Sequence, residues 1–114
     1  ASGYFQKRRD VGKAGIPEPL SRRYDNAVND RRFELISTLS GQSGLTLDEL
    51  VLGSLLAQPF PVFPIIGQRD AAQLAASMKA GSRVWPPALG EWLRRAEMPL
   101  DSGADLAVRL GILR

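Results

Sequence analysis

Gly67-Gln68-Arg69-Asp70 sets a glycine, an amide, a guanidinium and a carboxylate side by side, directly after the apolar run Val62-Phe63-Pro64-Ile65-Ile66. These residue types in this order suit an anion. Glycine allows close backbone approach, the Gln68 amide donates, and the planar guanidinium of Arg69 matches a phosphate with two parallel N–H bonds. A helix starting at Asp70 would add amides and the positive end of its dipole. The spacing alone also fits an ordinary loop, in which Asp70 is more simply a helix cap than a functional carboxylate.

The rest of the composition narrows the chemistry. The chain has 114 residues, no cysteine and no histidine. Thiolate nucleophiles, disulfides and zinc–thiolate sites are therefore excluded, and acid–base work near neutral pH would need a perturbed carboxylate, lysine or tyrosine. Net charge is +3. Lys7, Arg8, Arg9, Lys13, Arg22 and Arg23 crowd the start of the chain, and Lys7, Arg8, Arg9, Arg22 and Arg23 with Arg31 and Arg32 admit a second reading, a small basic helical module that binds nucleic acid. Aromatic interleaving and groove-reading motifs are missing, which argues against nucleic acid. No apolar run is long enough for a membrane span, so the chain is expected to be soluble and cytoplasmic. The first residue is Ala1, which fits a piece taken from a longer chain and equally a processed start.

The elements that must position the Gly67–Asp70 stretch follow from periodicity. Residues 1–23 are rich in Gly, Pro, Lys and Arg and predict an irregular loop. A helix should begin near Asn29 or Asp30, carry Phe33, Leu35, Ile36 and Leu39, and stop at Gly41 and Gly44. Thr46-Leu47-Asp48-Glu49 has the form of a capping box opening a buried helix over about 47–57, where Gly53 and Ser54 permit a close neighbour. Residues 62–66 read as a short parallel strand, apolar on both faces. Pro64 sits awkwardly in it. From Asp70 a helix runs to about Lys79, and Pro86-Pro87 opens another with Leu89, Trp92, Leu93 and Ala96 on one stripe. Trp85 and Trp92 read as core rather than as a sugar platform, and Glu91, Glu97 and Asp101 as scattered surface carboxylates. Residues 106–113 form a last amphipathic piece broken by Gly111.

The run "LTLDELVLGSLLAQPFPVFPIIGQRDAAQLAAS" resembles the C-terminal part of the aldo/keto reductases, in which a core helix leads into a "vvPIpGtrs" segment. "SGYFQKR" is similar to the glycine-containing segment after that family's seventh strand, "YDNAVNDRR" to its "Y..eN..R", and "VWPPALGEWL" to its closing helix. The resemblance covers about residues 1–95, in order, and leaves 96–114 as a tail.

It implies an α/β fold: the C-terminal segment of a (β/α)8, or TIM, barrel, mostly helical with one or two short parallel strands. It also implies an oxidoreductase that moves hydride between NADP, or alternatively NAD, and a small carbonyl compound handled only by the complete barrel. Carried over position by position, Gly67, Gln68, Arg69 and Asp70 fall on the loop around the adenosine 2′-phosphate and ribose. Gln73 falls where an arginine commonly clamps that phosphate, and Ser77 where an asparagine faces the adenine. Ser2, Gly3 and Tyr4 fall on the loop over the pyrophosphate, which would bring Lys7, Arg8 and Arg9 near cofactor phosphates. Gln73 and Asp70 weaken selectivity for NADPH, and a carboxylate beside the ribose would favour NADH. The family's catalytic Asp, Tyr, Lys and His have no counterpart here. The expectation is cofactor grip without catalysis by the isolated chain, or an inactive remnant, with self-association through the unpaired edge of the 62–66 strand.

Overall fold

The computed structural model describes residues 3–67, 70–96 and 106–112. Its elements are α1 (Tyr4–Val11), a 3-10 turn (Lys13–Gly15), α2 (Glu18–Tyr24), α3 (Ala27–Ser43), α4 (Leu47–Leu56), α5 (Ala71–Gly81), α6 (Pro87–Arg95) and α7 (Leu106–Arg109). Among the described residues there is no strand.

Local chemistry accounts for the boundaries. The side-chain oxygen of Asn26 accepts from the amide of Asn29 at 2.8 Å, so α3 starts earlier than Asn29 and Asp30 suggested. Gly41 is absorbed into α3, a cost of about 1 kcal/mol against alanine that packing covers. Gly44 ends the helix with φ 75°. The capping box at α4 closes as expected: the Glu49 carboxylate accepts from the Thr46 amide at 2.8 Å and Thr46 Oγ1 accepts from the Glu49 amide at 3.1 Å. Pro86 and Pro87 open α6, where a missing amide costs nothing.

Helix α4 lies at the centre, packing against α1, α3, α5 and α6, while α7 lies on α3. Leu35, Ile36 and Leu39 from α3, Leu47 and Leu50 from α4, and Leu89 from α6 are fully buried and build one core. Two glycines set the spacing. The Trp85 ring fills the place of a side chain at Gly53, and a Cβ on Gly90 would come within 3.0 Å of the Ser54 carbonyl, so α4 and α6 approach backbone to backbone.

Two expectations are overturned. The α/β fold, a partial TIM barrel with one or two parallel strands, is contradicted: every regular element described is helical. Residues 61–67 make no helix, turn or strand, because a ladder needs a second extended segment and none is described, while Pro61 and Pro64 each remove a donor. Residues 3–24 are also not an irregular loop. Helix α1 forms there because Tyr4 and Phe5 insert into the core, and α2 packs the partly buried Leu20 and Tyr24 against it, an anchorage set by distant residues rather than by local propensity.

Candidate functional site

Asp70 opens α5 as expected. Its Oδ1 accepts from the amide of Gln73 at 2.9 Å, and the carboxylate is exposed. One of the amides that an anion could have used is thereby taken by an acid of the chain itself. The Asp70 charge sits where a phosphate would otherwise meet the helix dipole, an arrangement that favours a hydroxyl donor over a second anion. Gly67 is exposed, with open space where a Cβ would stand. Gln73 is exposed on the first turn of α5 and Ser77 is half-buried one turn on. Ser2, Gln68 and Arg69 lie outside the described residues, as do Glu97 and Asp101.

The other half of the anticipated site is built differently. Gly3 precedes α1 with φ 70°, a left-handed conformation that suits glycine. Tyr4 is fully buried, its ring 5.1 Å from that of Phe5 and 5.5 Å from that of Tyr24. Its hydroxyl donates to Asp25 and accepts from Arg8 at 3.4 Å. Burial, then the bond to Asp25, pushes the Tyr4 phenol above its ordinary range, with Arg8 opposing. Two arginines of α1 are also engaged within the chain. Arg8 donates to Asp30 at 2.7 Å and lies 4.5 Å over the Phe33 ring, and Arg9 donates to Ser40 Oγ at 2.9 Å. Arg8, then Lys13, holds the Asp30 carboxyl below its usual range. Arg8 and Arg9 thus fasten α1 to α3, with Lys13 of the 3-10 turn joining at Asp30. Helices α1 and α5 both pack on α4, and no substantial contact joins them to each other.

A cavity of about 140 Å³ lies at the far end of α5 and contains none of the anticipated residues. Glu49, Lys79, Arg83 and Trp85 line it. Glu49 is buried and lies 4.0 Å from Lys79. Arg83 donates to the Ile112 carbonyl at 2.8 Å and stands 5.4 Å from the Trp85 ring. Sequence reading found Glu49 only as a cap; nothing in the spacing shows that Lys79 returns to it across the α4–α5 pair. Among the described residues no cluster of carboxylates is arranged to hold a metal, and no helix is long and apolar enough to cross a membrane.

Comparison of the chain with protein-family models, with curated proteins and with solved structures gave no significant match.

Proposed function

We propose that this chain is the nucleotide-holding, C-terminal portion of an aldo/keto-reductase-like oxidoreductase, taking NADP with NAD as the alternative. The observation that carries the reading is the ordered run of motifs over about residues 1–95, which ends in "PVFPIIGQRD" directly before a helix. What supports it structurally is the start of α5 at this run, with the Asp70 cap and the exposed Gly67 beside it.

In this reading the chain grips the adenosine end and performs no proton transfer. It has no histidine, and Tyr4, a candidate acid by residue type, is buried and committed to Asp25 and Arg8. Arg69 supplies the charge for the phosphate. The Asp70 carboxylate, already at the helix end, accepts from a ribose hydroxyl and keeps discrimination between NADPH and NADH small.

Calorimetric titration with NADPH, NADH and 2′,5′-ADP tests this. Saturable binding, weakened at least tenfold by Arg69→Ala, is expected. Absence of binding by all three overturns it.

A further inference from the structure

We infer that residues 61–67 form a self-pairing surface, in which Phe63 of one copy of this chain meets Ile65 of a second copy in a short antiparallel strand pair. This rests on the exposed segment itself and not on the cofactor reading.

The apolar side chains come first. Phe63 is 89 % exposed and Ile65 101 %, next to Phe60 at 61 % and followed by Leu74 and Met78 one turn apart on α5, at 47 % and 63 %. Monomers rarely show an apolar patch larger than about 300–600 Å². Phenylalanine rings alone bring about 150–250 Å² each, so Phe60 and Phe63 with Ile65 and Ile66 expose several hundred Å² of apolar surface, enough for a pair weaker than the standard dimer that buries roughly 800 Å² per partner.

Charge selects the occupant. From Leu50 to Gln68 the sequence has no charged residue, although the chain as a whole carries +3. Two copies repel each other over the rest of their surfaces and meet without opposition here. A face that has no charge and little polarity offers nothing to a charged partner, and it is complementary to itself under a two-fold axis.

The prolines then fix the register. Pro61 and Pro64 hold their own φ near −65° and drive Phe60 and Phe63 toward extended backbone. Successive residues of an extended chain point their N–H and C=O groups to opposite edges. The edge of Val62, Pro64 and Ile66 lacks its central donor, whereas Phe63 and Ile65 keep donor and acceptor on the other edge. No backbone bond is made by either residue among the described residues. With Pro64 facing Pro64 at a position that needs no bond, Phe63 of each copy exchanges both bonds with Ile65 of the other.

Sedimentation velocity of the full chain between about 1 and 200 µM decides the matter, with a reversible monomer–dimer equilibrium of micromolar dissociation constant expected. Ile65→Pro, which removes one donor from the pairing edge, should loosen it at least tenfold. Phe63→Lys and Ile65→Glu should each be monomeric alone and should dimerise again when mixed in equal amounts, because the register sets position 63 against position 65. A monomer at every concentration, a dimer indifferent to these changes, failure of the mixture to recover, or open-ended aggregation overturns the proposal. So does capture by neutral phosphatidylcholine vesicles at concentrations where no dimer forms. All variants should keep the helical circular dichroism of the parent; loss of helicity also counts against it, since it would make the segment part of the fold.

Discussion

The indole of Trp85 stands where the side chain of residue 53 would begin: a Cβ placed on Gly53 would lie among the fused-ring carbons. Trp85 is held there by its own bond, Nε1 donating to the Ala80 carbonyl at 2.8 Å. Gly53→Ala gains up to about 1 kcal/mol of helix propensity but overpacks a filled core, which costs about 1–3 kcal/mol. The clash wins. Guanidinium-chloride unfolding should show a lower midpoint with an unchanged slope.

Arg32 crosses from α3 to the end of α6, where its Nε donates to the Leu93 carbonyl at 2.8 Å and its Nη2 to the Arg94 carbonyl at 3.0 Å. The forked group satisfies carbonyls that the helix end leaves open. Arg32→Ala should cost about 1–2 kcal/mol in denaturant unfolding. Arg32→Lys should recover less than half of it, because a single ammonium does not reproduce the fork.

The Arg8–Asp30–Lys13 cluster predicts a dependence on acid. A carboxylate whose pKa is depressed in the folded state stabilises fully above its unfolded value and loses that contribution as pH falls through the folded one. Asp30 is such a group. Asp30→Asn should lower the melting temperature at pH 7, and the difference should shrink as pH falls below the ordinary aspartate value of about 3.9. Equal melting temperatures at pH 7 would contradict this account.

Tyr4 predicts the opposite limb. Its pKa is raised, so its contribution is complete below the unfolded value near 10 and is lost as pH rises through the folded one. Absorbance titration should show a tyrosine ionising late, together with unfolding, and that step should be missing in Tyr4→Phe. The substitution leaves Asp25 without its phenolic donor and should cost about 1 kcal/mol.

Asp70→Asn separates the cap from the charge. Asparagine caps as well as aspartate, so α5 should persist, while the negative charge at the helix end disappears. Affinity for 2′,5′-ADP and NADPH should rise roughly fivefold, as about 1 kcal/mol of repulsion is removed, while affinity for NADH should fall, because its ribose hydroxyl loses a charged acceptor. A parallel gain for NADH would mean that Asp70 does not face the 2′ position.

The elements with local signatures were readable in advance. Thr46 and Glu49 define a capping box by spacing alone, Asp70 caps α5, and Pro86-Pro87 marks the start of α6; each is a short-range contest for orphan amides. The first twenty-odd residues were not readable, because their helices depend on Tyr4 reaching Asp25 and Arg8 reaching Asp30 across a large sequence separation. The strand expected at 62–66 failed for a related reason: a continuous apolar run describes what can be buried, whereas a strand exists only beside another. Of the anticipated site, the Asp70 cap on α5 was legible. The engagement of Tyr4, Arg8 and Arg9 with Asp25, Asp30 and Ser40 was not, since a run of cations looks the same whether it meets solvent or the chain's own acceptors.

Helix α7 completes the side of α3 that carries Gln42, whose Oε1 accepts from the Ala107 amide at 2.7 Å, while Leu106 and Ala107 are buried. During synthesis on the ribosome, everything from Tyr4 to Ala96 is made before Leu106 is added. The nascent polypeptide therefore carries one side of α3, the longest helix among the described residues, open to water until Leu106 and Ala107 have been added.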